Sequence, residues 1–476
     1  MIGRIEEIKA LNALYDSKES QLIAIYGRRR VGKTYLIDDV FRNRFTFRHA
    51  GLSPAETEKK GAMQRQLTHF YRSLLMHGMP GQHIPADWFE AFFMLEQWLR
   101  QIDDGSRQLV FLDEMPWLDT PRSNFISAFE GFWNAWACHR KNLMVIICGS
   151  ATSWIQDKLI HNHGGLYNRL TYHMHLAPFT LQESESYLIG IGASFSRYDI
   201  VQSQMVLGGI PYYLGYMKPS LSFAQNVDRI FFGKNPILRD EYHQLFSSIF
   251  ANPEHMEAII ELLYQRNAGF TQKEIATRLG INDGGRLSNN LKALVASDFV
   301  EQYIPFQATP KVTHYRLTDP FCLFYLHFVH GRDTSADDYW QSLSQTQAVI
   351  SWRGFAFENV CFHHIQQIKE ALRIGAVSTK QSAWSKKDDD ETGTQIDLLL
   401  DRRDNVLSMC EIKFYGDMFT VSKDYYMTLL HRQNVLLQSV SKKTSIHSVL
   451  ITTFGLVRNK YSDAFQNVIT LDDLFQ

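Results

Sequence analysis

The eight residues 27–34, Gly-Arg-Arg-Arg-Val-Gly-Lys-Thr, restrict the fold of this chain more than any others. They fit the pattern G-x-x-x-x-G-K-S/T, with the strand-forming run Leu22 to Tyr26 before them and the helical run Tyr35-Leu36-Ile37 after. A glycine-rich loop that joins a buried strand to a helix aims backbone N–H groups and a helix N-terminus at an anion. In that arrangement Gly27, Arg28, Arg29, Arg30, Val31, Gly32 and Tyr35 frame a phosphate chain. Lys33 neutralises β and γ charge and the Thr34 hydroxyl ligates Mg2+. The cofactors this implies are ATP and Mg2+.

The surrounding pattern agrees. Between residues 21 and 176, short apolar runs alternate with helical stretches, and Leu22 to Tyr26, Leu109 to Leu112 and Leu143 to Cys148 each end in a glycine or an acid. Buried runs followed by helices predict a parallel sheet in an α/β domain. The second run ends in Asp113-Glu114, which puts Asp113 beside Mg2+ and Glu114 where it can polarise an attacking water. The third ends in Gly149-Ser150, so Ser150 either senses the γ-phosphate or is a plain strand terminus.

At 476 residues the chain is too long for one core, and two to four domains are expected. Hydrophobic residues make up 45% and charged residues 21%, a globular composition. With 49 Lys plus Arg against 50 Asp plus Glu, no global field draws it to nucleic acid or anionic lipid, so any such binding is local. Five cysteines without CxxC spacing argue for a reducing compartment, the acidic start Glu6-Glu7 is no signal peptide, and no apolar run reaches membrane-spanning length. The expectation is a cytoplasmic protein with no membrane partner.

Beyond the sheet, residues 178–252 read as a helical lid broken at Gly208-Gly209-Ile210-Pro211. Residues 253–330 follow the order of a winged helix-turn-helix: a helix over Met256 to Arg266, a second opened by the capping box Thr271/Glu274, a third with Leu287, Leu291 and Leu294 on one stripe, then strands joined by a turn containing Pro310. Its seven basic residues face eight acidic ones, so DNA contact leans on Arg286, Asn289, Asn290 and Lys292, off the leucine seam; the alternative is a packing or oligomerisation module. A linker, 331–350, leads to residues 351–476, where Gln395 to Leu400 and Val406 to Phe414 predict a hairpin turning at Asp401 to Asn405. Glu411 and Lys413 share a strand face, and Asp397 faces them across the hairpin. Asp397 and Glu411 can hold Mg2+, Lys413 can orient water, and Glu358 on the preceding helix is a further candidate ligand. A vestigial binding fold and a plain cross-strand ion pair are the alternatives.

The N-terminal half, by Ile2-Gly3-Arg4 with Glu7, the loop Gly27 to Thr34, Leu112-Asp113-Glu114 and Gly208 to Tyr213, resembles archaeal-type ATPases of the STAND clade within the AAA+ superfamily. The resemblance implies that Gly3, Arg4 and Pro211 help bind adenine. It also implies that Arg169, in Leu166-Tyr167-Asn168-Arg169, reaches the γ-phosphate, against the reading of a surface arginine. The set Glu358, Asp397, Glu411-x-Lys413 resembles the PD-(D/E)XK nuclease superfamily. Together they imply a multidomain α/β chain: a P-loop ASCE ATPase with a parallel sheet, a helical lid, a winged helix-turn-helix and a C-terminal restriction-endonuclease-like α/β domain. The function expected is an ATP-binding, ATP-hydrolysing regulatory module controlling an Mg2+-dependent DNA nuclease, with nucleotide-dependent homo-oligomerisation compatible. The rival is a nucleotide-dependent DNA-binding or signalling protein whose nuclease fold is inactive.

Overall fold

The structure, a computed structural model, describes residues 3–53, 61–161, 164–250, 252–309, 312–332, 336–386 and 394–476. Ile2, Pro310 and Lys311, and the acidic stretch 388–391 lie outside the described residues. The chain forms two compact units, one of Met1–Pro178, His243–Glu257 and Asn289–Asp298, the other of Phe179–Tyr242, Ala258–Ser288 and Phe299–Gln476. These units cut across the sequence-based boundaries at 252 and 330, because two short helical segments cluster with the N-terminal sheet.

In the first unit β1 (Gln21–Tyr26), β2 (Phe47–Ala50), β3 (Gln108–Asp113), β4 (Leu143–Gly149) and β5 (Tyr172–His175) form an all-parallel sheet in the order β2-β3-β4-β1-β5. Every residue of β1, β3 and β4 is buried, which is why these strands read as continuous apolar runs. Since β4 lies between β3 and β1, the loop after β1 and the acids after β3 flank the end of β4 at strand spacings of about 5 Å. One face is covered by aromatic helices. Trp88, with no exposed surface, meets Phe125 edge-on at 4.8 Å and Phe70 at 5.5 Å. Its helix, Trp88–Gln101, starts where Asp87 accepts a hydrogen bond from the Glu90 N–H.

In the second unit the helices Leu181–Gly190 and Phe223–Phe231 open with reciprocal capping boxes, Thr180/Glu183 and Ser222/Gln225. Gly208 ends the helix Arg197–Leu207 at φ 69°, and a Cβ on Gly209 would come within 2.4 Å of the Phe179 carbonyl oxygen. The helical pattern therefore breaks at Gly208-Gly209, as expected. The chain continues through Pro253–Tyr264, β6 (Phe270–Thr271), Gln272–Leu279 with its Thr271/Glu274 capping box, Gly285–Ala296, β7 (Val300–Tyr303) and β8 (His314–Leu317). These strands pair antiparallel in the order β6-β8-β7.

Residues 331–350 are not a plain linker. They include the helix Tyr339–Leu343 and the start of Gln347–His363, and Trp340, only 1% exposed, sits among Phe324, Phe328 and Trp352 while its N–H donates to Asp228. One large apolar residue in a polar stretch accounts for the correction. The C-terminal strands β9 (Thr379–Lys386), β10 (Thr394–Arg402), β11 (Val406–Lys413), β12 (Ser445–Thr452) and β13 (Asn467–Ile469) form a mixed sheet, β13-β12-β11-β10-β9. β10 and β11 are the expected hairpin, with Asn405 at φ 63° in its turn. Among the described residues, no helix is long and apolar enough to cross a membrane.

Removing the Trp88 indole should leave a void that the surrounding rings cannot close. Trp88→Ala is expected to cost about 3–5 kcal/mol, read as a lower denaturant midpoint with an unchanged slope.

Candidate functional site

The loop after β1 is shaped by its glycines. Gly27 sits at φ 142°, and a Cβ there would lie 2.4 Å from the Leu176 carbonyl oxygen; Gly32 sits at φ 93° and precedes the helix Lys33–Phe41. Only glycine takes both conformations without strain. Lys33 is 5% exposed, and its Nζ donates to the carbonyls of Gly27 (2.8 Å) and Arg28 (3.0 Å). The ammonium is thus folded back over the loop at the place a phosphate chain would occupy. Arg28 and Val31 are buried, Arg29 and Arg30 half-buried, and Tyr35 is exposed.

Thr34 Oγ1 donates to Asp113 Oδ2 at 2.9 Å, so the two expected Mg2+ ligands stand together. Both are hard oxygen donors, the chemistry Mg2+ prefers, and they fit the ion. Burial raises the Asp113 pKa, and the neighbouring Glu114 charge adds to it; the Thr34 bond and Lys33 oppose. Glu114 turns the chain at φ 44°, and its carboxylate accepts from the Ser150 N–H at 2.9 Å and from Ser150 Oγ at 2.9–3.0 Å. Ser150, read from sequence as a γ-phosphate sensor or a strand end, is here the fully buried partner of Glu114. The approach needs Gly149, where a Cβ would meet Pro116 Cδ at 2.6 Å.

Of the remaining expected residues, Arg4 stands beside the loop, since Ala177 follows Leu176, whose carbonyl lies against Gly27. Gly3 (φ 69°) and Arg4 (φ 59°) start the first helix, and Arg4 Nη2 donates to the Ala177 carbonyl at 2.6 Å. Pro211 opens the helix Pro211–Leu214 in the second unit. Arg169 does not stand at the phosphate loop. It is exposed and lies two residues before Thr171, whose N–H donates to Leu22 at the start of β1. The phosphate loop leaves the opposite end of that strand, roughly 15 Å away. A motif match carries no information about which end of a strand its loop occupies.

Sequence reasoning missed His175, which ends β5 and bonds Asp298 at 2.9 Å. That bond raises its pKa against the effect of burial, and the charges of Lys33 and Arg4 also bear on it. No local pattern could have paired residues so distant in the chain.

The second cluster lies on β10 and β11. Lys413 Nζ is 3.8 Å from Asp397 Oδ2 and 3.6 Å from Glu411 Oε2, so the hairpin does bring the three together. Glu411 has no exposed surface, and its carboxylate is taken up by Arg432 Nη1, at 2.6 and 2.7 Å, and by the Tyr425 hydroxyl at 2.7 Å. Arg432 and Tyr425 stand seven apart on the helix Lys423–Ser439 and were not anticipated; their signal was a polar pair on the stripe of the buried Leu429. Burial, then the Asp397 charge, pushes the Glu358 pKa up to about 8, and burial raises Asp397 against the pull of Lys413. Among the described residues, no three His, Cys, Asp or Glu side chains gather closely enough to hold a metal ion. As arranged, both Glu411 oxygens are engaged by Arg432, so a metal could be held there only if Arg432 moved away.

An acid whose pKa rises on folding, here from 4.5 to about 8, holds its proton more tightly in the fold. Its stabilising contribution is complete below the unfolded value and is lost as pH climbs through that window. In metal-free buffer, Glu358→Gln should therefore raise Tm relative to wild type at pH 8, by on the order of 2 kcal/mol of stability, and much less at pH 5. Equal differences at both pH values would place the Glu358 pKa near that of an ordinary carboxyl.

Comparison with known proteins agrees with the first site. Residues 1–217 match the family described as an ATPase domain predominantly from Archaea. An uncharacterised protein of Methanocaldococcus jannaschii is 26% identical over 435 residues, covering 89% of this chain and 91% of its own. Among solved structures, a Walker-type ATPase of Pyrococcus abyssi superposes with a TM-score of 0.47 at 15% identity, covering 68% of this chain and 96% of its own. The ORC2 protein of Aeropyrum pernix gives 0.40 at 14% identity, over 72% of this chain and 95% of its own. The N-terminal part of the chain is thus similar to archaeal-type ATPase domains.

Proposed function

We propose that this archaeal-type ATPase domain binds and hydrolyses ATP and that the C-terminal sheet acts on DNA under its control. The observation that carries the ATPase reading is the junction of loop and strand: Lys33 over the loop carbonyls, and Thr34 bonded to Asp113 at 2.9 Å. Thr34 and Asp113 would hold Mg2+, which neutralises charge on the phosphate oxygens when bound. Lys33 exchanges its two carbonyl partners for phosphate oxygens. Glu114 orients the attacking water and accepts its proton, which requires its carboxylate to leave Ser150. The hydrogen bonds that hold Glu114 against β4 keep it from the water until phosphate rearranges the site.

For the C-terminal sheet, the convergence of Asp397, Glu411 and Lys413 supports a nuclease-like site, and the helix and strand order of residues 253–317 supports a winged helix as DNA anchor. A second reading has a specific observation in its favour: Arg432 occupies the Glu411 carboxylate, which suits a fold that binds DNA without cutting it. Plasmid incubated with the protein, ATP and Mg2+ or Mn2+ separates the two. Cleavage that disappears in Asp397→Ala supports the nuclease, and intact plasmid with retained DNA binding supports the second reading.

For the ATPase, Lys33→Ala should abolish nucleotide binding, while Glu114→Gln should keep it and slow phosphate release by about a hundredfold or more. Wild-type turnover in Glu114→Gln would remove Glu114 from the role of base.

A further inference from the structure

The helix Gln347–His363 carries a second group besides Glu358. Five residues earlier, Arg353 lines a cavity of about 670 Å³ whose wall also includes Tyr198, Asp199, Gln202, Ser222 and Phe454. Among the described residues, none forms a hydrogen bond or ion pair with the Arg353 guanidinium. Burial lowers its pKa, with Tyr198 and Asp199 opposing, yet a guanidinium stays charged. Asp199, whose charge acts on Arg353 without an ion pair between them, accepts instead from Ser196 Oγ at 2.9 Å and from Gln202 Nε2 at 3.4 Å.

The same cavity has an aromatic wall. Tyr198 stacks on Phe414 (4.8 Å, 16°) and on Phe454 (5.7 Å, 21°), and Phe454, which borders the space, is 46% exposed. An open ring and an unpaired guanidinium around a volume of this size suit a ligand with one flat apolar part and one anionic part. The position narrows the choice. Phe414 directly follows Lys413, and Gly416 lines the cavity, so the space opens at the end of β11 within about 10 Å of the Asp397–Glu411–Lys413 cluster.

We propose that this cavity is a nucleotide subsite for a single DNA strand, with a base against Phe454 and its phosphate on Arg353. The inference rests on the reading of the C-terminal sheet as acting on DNA, and it holds whether or not the strand is cut. A paired base cannot lie flat on a protein ring, so the strand entering here is single or frayed. Gln202, Ser222 and Gln345 supply neutral donors and acceptors for the base edge or sugar.

The test uses the full chain and a fluorescein-labelled twelve-residue oligothymidylate in EDTA, read by anisotropy. Arg353→Gln and Phe454→Leu should each weaken binding about tenfold or more, and Arg353→Gln should flatten the dependence of log K on log salt by about 0.7. Arg353→Lys should restore most of the salt dependence. Unchanged Tm and ATP binding would show that the variants fold. Thymidine monophosphate should compete only at far higher concentration; competition equal to the oligonucleotide would overturn the strand in favour of a free nucleotide. Wild-type DNA binding that both variants retain in full would overturn the subsite and leave the DNA reading standing. No wild-type binding to single-stranded or duplex DNA would bring down both.

Discussion

A hydrogen bond, Thr34 Oγ1 to Asp113 Oδ2, joins the two halves of the candidate phosphate site. Thr34 belongs to the helix that follows β1 and Asp113 to the end of β3, with β4 between those strands, so the bond forms only if the sheet has the order β3-β4-β1. Around it, each constraint depends on the next. Gly27 lets the loop pass under the Leu176 carbonyl, which leaves Lys33 folded over the loop, and Gly149 lets Glu114 reach Ser150 past Pro116. Burial makes the Asp113 charge expensive, and Thr34 and Lys33 offset part of that cost.

Both candidate sites hold a carboxylate in reserve by the same physics. Glu114 is bound by the N–H and hydroxyl of Ser150, and Glu411 by Arg432 and Tyr425. A neutral partner such as Ser150 can be exchanged for phosphate or water at small cost, because the hydrogen bonds lost are replaced in kind. Separating Arg432 from a fully buried Glu411 removes a charge-assisted pair and leaves the carboxylate to Lys413, 3.6 Å away, and to the Tyr425 hydroxyl. The Glu114 carboxylate is therefore the more readily released of the two, and Glu411 the more firmly held.

What was legible in the sequence followed from local chemistry. The phosphate loop, the acids after β3, the capping boxes at Thr271 and the β10–β11 hairpin are written in adjacent residues, where strand burial and turn geometry leave few options. The misses came from the third dimension. Arg169 falls at the far end of the sheet from the phosphates because its loop precedes β5. The partners His175–Asp298 and Glu411–Arg432 meet only through tertiary packing, and Trp340 turned an expected linker into a helix by filling an aromatic cluster.

Lys33, Thr34 and Asp113 are placed to form one Mg2+-dependent phosphate site. Calorimetric titration of the wild-type chain with ATP, in Mg2+ and again in EDTA, tests it most directly. One ATP per chain should bind, tightly in Mg2+ and at least tenfold more weakly in EDTA. Absence of binding in both buffers, or equal affinity in the two, would contradict it.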